Sequence, residues 1–215
     1  LEAAQAVGDR RSEALALIGL GICLRREGRF EEALEVNHRA LQLIEELGLT
    51  ESQALVYNNL GVIYSRMGQF GLALQMLRKS LEIRGDAAGK AYTLNEMAGI
   101  YLALNDLDRA EELARAAEIA GHGLEDRTER AYSPWILARV YRRRGELDRA
   151  LEQYSRAAEL LAQVGNASRL AALQLEMSTM LFAVQRVPAS FEATRSGLRA
   201  LNSVINDSPL LGILD

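Results

Sequence analysis

The chain has 215 residues, 49% hydrophobic and 25% charged, with a formal net charge of −4. That supplies enough apolar material for a continuous core, while the acidic balance argues against a general binder of nucleic acid or of an anionic membrane surface, because phosphate binding draws on a basic surface. Three prolines among abundant Ala, Leu, Glu and Arg describe an all-α chain with no apolar run long enough to span a membrane, and a single cysteine excludes an intrachain disulfide framework and points to a reducing, cytoplasmic compartment.

The first residues, LEAAQAVGD, align with ELLAQVGN near 159–166, so residues 1–11 are expected to end a preceding, truncated repeat of a larger parent chain. From Ser12, a cap candidate followed by Glu13, apolar residues recur at helical spacing to about Glu27. Cys23 falls inside this helix and is expected as a small buried hydrophobe. Gly28 and Arg29 turn the chain into a second helix, Phe30 to Leu47, which Gly48 ends.

A second hairpin occupies 50–85, with Thr50 as cap, Gly68 as the turn and its end near Arg84 and Gly85. A third covers 87–122; there Asn105 takes the turn position, and Asn tolerates the left-handed conformation. A somewhat shorter step precedes it, which predicts a tight joint at 85–89. The turn Gly121-His122-Gly123 is expected to be the most flexible joint. A fourth hairpin covers 125–164 and contains Pro134. Two readings of that proline stay open: Ser133 caps a late helix start with Pro134 in its first turn, or a longer helix is kinked there. A fifth covers 167–204, with Val187-Pro188 opening its second helix. The tail 205–215 is expected either to cap the last hairpin or to offer a self-association edge.

The hairpins repeat. Gly21, Gly61, Ala98, Ala138 and Ser178 stand at corresponding places about 40 residues apart, with one shorter step. In the clearest copy, Leu60-Gly61 is followed by Tyr64, Gly68, Phe70, Ala73, Leu77 and Ser80. These small, aromatic and turn positions resemble the tetratricopeptide repeat family in its long variety, as in the sensor arrays of bacterial regulators and in some animal adaptor proteins. The resemblance covers about residues 12–204. It implies a right-handed α-solenoid of stacked hairpins that binds a protein or peptide along its concave side.

Chemistry is sparse outside that surface. His38 and His122 lie in different repeats, no Cys/His set has zinc spacing, and no glycine-rich phosphate loop is present. Glu31, Glu32, Glu111 and Glu112 open second helices, where negative charge suits the helix dipole, and the other carboxylates read as surface charges. No constellation calls for an enzyme, a metal or a cofactor.

The resemblance places the first helix of each hairpin on the concave side. Its exposed positions, carried over, are Leu15, Ile18, Ile22, Arg25 and Arg26; then Asn58, Asn59, Val62, Ser65 and Arg66. Tyr92, Asn95, Glu96 and Gly99 follow in the third hairpin. The fourth supplies Tyr132, Trp135, Arg139, Arg142 and Arg143, and the fifth Glu176, Thr179 and Phe182. Asn58 and Asn95 hold equivalent places and suit a peptide backbone, since an amide both donates and accepts. Tyr92, Tyr132 and Trp135 supply aromatic contacts, and Arg139, Arg142 and Arg143 suit a carboxylate or phosphate. Asn59 matches one position of the chaperone-tail binders of the family, but their lysines are missing: Lys79 and Lys90 lie elsewhere.

The expected function is a protein- or peptide-binding scaffold, the sensor or interaction region of a larger bacterial signalling or transcription regulator. The alternative is a self-association module acting through the solenoid ends and the tail. Nucleic-acid binding through Arg139 and Arg142 to Arg144 ranks below both.

Overall fold

A computed structural model of the chain describes residues 9–183 and 187–206. These form ten helices and no strand: α1 (Arg10–Arg26), α2 (Phe30–Leu47), α3 (Thr50–Arg66), α4 (Phe70–Ile83), α5 (Ala87–Ala103), α6 (Leu107–Ala120), α7 (Arg127–Arg144), α8 (Leu147–Gln163), α9 (Ala167–Ala183) and α10 (Val187–Asn206). The first helices of successive hairpins begin at Arg10, Thr50, Ala87, Arg127 and Ala167, in steps of 40, 37, 40 and 40 residues. The fold is an all-α helical repeat.

Turn chemistry sets the hairpins. Gly28, Gly68 and Gly145 have φ of +79°, +74° and +78°, and Asn105 has +61°, the left-handed region that glycine enters freely and asparagine tolerates. Helix faces meet over small residues. Ala33, Ala73, Ala110 and Ala150 open second helices and are fully buried. At one of them the approach is direct: the Ala73 carbonyl oxygen lies 3.2 Å from where a Cβ on Gly61 would stand. At Gly61 an added Cβ would lie 2.6 Å from Leu77 Cγ. At Gly21 it would collide with the side-chain amide of Asn37, a buried residue that fills the space a methyl group would take.

The chain divides into two compact units, Leu1–Ile100 and Tyr101–Asp215, with the boundary inside α5. In the first unit α1 packs on α2, α3 packs on α4, and α3 also contacts α1 and α2. Its core joins Leu17, Leu43, Ile44, Val56, Tyr57 and Leu60. In the second unit α7 packs on α8 and α9 on α10, with α6 against α7 and α8 against α9. Tyr141 and Tyr154 are its largest fully buried side chains among the described residues, followed by Leu137, Leu161 and Leu173.

Several local expectations change. Asp9, not Ser12, caps α1: its carboxylate accepts from the backbone N–H groups of Arg11 and Ser12 at 3.1 Å each. A carboxylate both satisfies those orphan donors and favours the positive end of the helix. Thr50 is the first residue of α3 rather than its cap; Leu49 occupies the cap position without a side-chain bond. The shorter repeat step does not come from the joint alone: the linker after α4 is residues 84–86, and α5 already starts at Ala87. It combines a second helix, α4, shorter than α2 (14 residues against 18) with a joint, 84–86, shorter than the 121–126 joint that follows the equally short α6. Pro134 lies well inside α7 and is buried, which excludes a late start at Ser133. It removes one helix hydrogen bond, and the burial of Ala131, Ile136, Leu137, Ala138, Val140 and Tyr141 carries the helix through it. Cys23 is exposed, because it projects away from the buried stripe of Leu17, Gly21 and Leu24. The truncated repeat expected at residues 1–8 and the capping or self-association tail expected at 207–215 lie outside the described residues.

Candidate functional site

In the first unit, α1, α3 and α5 present Arg25, Arg66, Tyr92 and Glu96. The sequence expects Asn58, Asn59 and Asn95 as exposed contacts beside them, yet all three are buried, as are Ile18 and Val62. Asn59 Nδ2 donates to Asn37 Oδ1 at 2.9 Å, and Asn37 Nδ2 donates to the Ala33 carbonyl at 2.6 Å. Arg25 Nε completes the relay, donating to Asn59 Oδ1 at 2.7 Å. Asn58 Oδ1 lies 3.1 Å from the Thr93 hydroxyl, which shares its proton with the Gly89 carbonyl at 2.8 Å. These amides bind neighbouring helices because a buried amide without partners is costly. Asn59 positions Arg25 and Asn58 ties α3 to α5, instead of meeting a ligand. Glu96 is half-buried; burial raises its pKa against the opposing pull of Arg66, Arg25 and a Tyr92 hydrogen bond.

The corresponding face of the second unit is built by α7 and α9. Tyr132 and Trp135 lie one helical turn apart, and their rings stack at 6.3 Å between centroids with planes 18° apart. Each ring carries an arginine: Arg169 stands 4.9 Å over Tyr132 and Arg139 stands 5.1 Å over Trp135. Glu176 on α9 ties the group together. It accepts from Trp135 Nε1 at 3.1 Å, from Arg139 Nε at 2.8 Å, from the Arg139 terminal nitrogen, and from the Tyr154 hydroxyl at 3.3 Å. Burial alone would raise the Glu176 pKa, but the Arg139 hydrogen bond and charge outweigh it and hold the carboxyl below its usual range. Tyr154 is pushed up to about 12, first by burial. Arg142 is half-buried one turn beyond Arg139, and Thr179 and Phe182 continue α9. Phe182 is 67% exposed.

The arginine run at the end of α7 divides by role. Arg143 donates to the Leu102 carbonyl and to Asn105 Oδ1. Arg144 binds Glu111 and Asp108. Glu111 is not a plain surface charge: it also accepts from the Tyr141 hydroxyl at 2.8 Å and from Arg115 at 2.8 Å. Sequence reasoning missed this hub and the role of Glu176, although Glu176 stood among the groove positions. The signal was weak, since the repeat position of Glu176 holds Gly19, Asn59, Glu96 and Ile136 in the other hairpins, so that a glutamate there is not unusual. Away from these faces, a cavity of about 380 Å³ opens beside Glu51, Leu55, Ile83, Arg84 and Asp86. Among the described residues no cluster of His, Cys, Asp and Glu could hold a metal ion, and no helix is long and apolar enough to cross a membrane.

Models of the tetratricopeptide repeat match residues 12–86, 52–118 and 135–156. No curated protein matches the sequence. Among solved structures, BtubC (BKLC) from P. vanneervenii is similar at 19% identity over 97% of this chain and 91% of that one, with a TM-score of 0.76. Aspartyl phosphate phosphatase F from Bacillus subtilis is similar at 11% identity, over 96% of this chain and 56% of that one, with a TM-score of 0.80. YrrB, described as a protein of this repeat type with an unusual peptide-binding site, is similar at 18% identity over 92% and 91%, with a TM-score of 0.54. At such identities the likeness is one of fold.

Proposed function

The chain belongs to the tetratricopeptide repeat family, and on that premise we propose that it is a scaffold that binds a protein or peptide segment. In this reading it is the cytoplasmic sensor or interaction region of a larger bacterial signalling or transcription regulator. The ligand lies on the first-helix face, and the contacts with most to offer are Tyr132, Trp135, Arg139, Arg142 and Arg143. Arg66 and Tyr92 supply the matching face of the first unit. Asn58, Asn59 and Asn95 leave the contact set, because their amides are buried.

One observation carries the reading. Trp135 is locked by Glu176 and Arg139 while Phe182, on the adjacent first helix, is left to solvent. Rigid aromatic anchors beside an exposed apolar side chain are what a binding hot spot requires, since little side-chain entropy is lost on contact. The fold shared with a bacterial aspartyl phosphate phosphatase supports a signalling setting, and the peptide-binding site named for YrrB supports a peptide ligand.

The test is a peptide-display selection against the chain, followed by titration of the selected peptides. Trp135→Ala should weaken them at least about tenfold, that is by about 1.4 kcal/mol, with helical content unchanged by circular dichroism. Arg66→Ala and Tyr92→Ala report on the face of the first unit. Peptides that bind Trp135→Ala, Arg66→Ala and Tyr92→Ala as well as the parent chain would remove the ligand from these faces.

A further inference from the structure

The second-unit face has a sign. From residue 132 to 143 α7 carries no carboxylate, and from 169 to 182 α9 carries only Glu176. Against it stand Arg139, Arg142, Arg143 and Arg169, on a chain whose net charge is −4. Three of these arginines are already engaged: Arg139 with Glu176, Arg143 with the Leu102 carbonyl and Asn105, and Arg169 over Tyr132. Arg142 differs. Among the described residues it makes no hydrogen bond and no ion pair, although it is half-buried. Its charge is felt by Tyr154 and Glu176, so its side chain lies toward α8 and α9. A partly desolvated guanidinium gains most from an incoming carboxylate, which restores the interactions it gave up in leaving water. Phe182 occupies on α9 the repeat position that Arg142 occupies on α7, so a cation and an exposed aromatic ring come from neighbouring first helices.

On the reading of this face as a peptide-binding surface, we propose that its ligand is an acidic peptide segment whose carboxylate side chain pairs with Arg142 while a neighbouring apolar side chain covers Phe182. Glu176 sets the register. It occupies Arg139 and Trp135 from within the chain, so the ligand's carboxylate goes one turn further along, to Arg142.

The probes are fluorescein-labelled short peptides of one design, with Leu at fixed positions and Glu, Gln or Lys between them, read by fluorescence anisotropy with the whole chain. The Glu peptide should bind, and the Gln and Lys peptides should bind at least about tenfold more weakly. Affinity for the Glu peptide should fall as salt rises, since exposed ion pairs are screened. Arg142→Gln, and more strongly Arg142→Glu, should weaken it, as should Phe182→Ser. Arg195→Glu, a charge change on the exposed side of α10, should leave it within about twofold. Circular dichroism confirms that each variant is folded. A Gln or Lys peptide that binds as tightly as the Glu peptide, yet is lost on Trp135→Ala, overturns the acidic ligand and leaves the peptide-binding reading standing. A Glu peptide insensitive to Arg142→Gln, or no binding by any peptide, overturns the site. An oligouridylate that displaces the Glu peptide through Arg142 and binds more tightly would assign the face to nucleic acid and overturn the proposal as well.

Discussion

Glu111 sits where three helices meet, in the first turns of α6 and facing α7 and α8. Its carboxylate takes hydrogen bonds from Tyr141, Arg144 and Arg115, and the Arg149 guanidinium lies 4.0 Å away. Arg149 also stacks 4.1 Å over the Tyr141 ring and donates to its hydroxyl. Burial would raise the Glu111 pKa, but these bonds win and hold it at about 2, from an ordinary 4.5. A carboxylate depressed in the folded state stabilises the fold above its unfolded pKa, and that contribution is lost as pH falls toward the folded value. Replacing Glu111 by Gln should therefore cost about 2–3 kcal/mol near neutral pH and almost nothing near pH 2. Urea unfolding of both proteins at the two pH values checks this. A difference that persists in acid would make the effect one of shape rather than charge. Tyr141 moves the other way: burial, and then Glu111, raise its pKa.

Within the elements, close packing separates glycines that the sequence presents alike. Gly61 and Gly99 both lie inside first helices. At Gly61 a Cβ would meet Leu77 Cγ at 2.6 Å and Cδ2 at 2.8 Å, and Leu77 is fully buried, so the helices must part. At Gly99 nothing lies within 4 Å. Gly61→Ala should destabilise by about 1–3 kcal/mol as an overpacked core. Gly99→Ala should stabilise by about 0.5–1 kcal/mol, because alanine loses less backbone entropy in a helix. Equilibrium urea denaturation measures both, and a neutral Gly61→Ala would show that α4 retreats without cost. The same logic explains α7. Its buried side chains outweigh one missing hydrogen bond at Pro134, so an element that local rules would interrupt stays whole.

At the largest scale, hairpins that pack on their neighbours, as α8 does on α9 in the second unit, should lose stability in steps. Hairpin five is held by α9 against α8 and by the Glu176 bonds to Trp135, Arg139 and Tyr154. A chain ending at Val164 should stay helical with a lower unfolding midpoint. Trp135, the single tryptophan, should shift its emission to the red as α9 is removed. Loss of nearly all helical circular dichroism in that truncation would show that hairpin four cannot stand without hairpin five.

By itself the sequence determined the helical class, the recurrence of the hairpins, and the turns at Gly28, Gly68 and Asn105. These are local matters: a period of 3.6 residues, a left-handed φ, and a small residue where backbones must meet. Membership of the repeat family was legible on the same grounds. Only the tertiary structure decided which face residues see solvent. Asn58 and Asn59 are exposed on an isolated helix and become buried when Thr93, Asn37 and Arg25 arrive from other helices. It alone paired Glu176 with Trp135 and Arg139, and Glu111 with Tyr141 and Arg144, since those partners stand 30 to 41 residues apart in the chain. Long arginine side chains reach across a helix interface in many directions, and the packing of the neighbouring helix selects one. For that reason the binding face was legible as a region, while the residues left available on it were set by the fold.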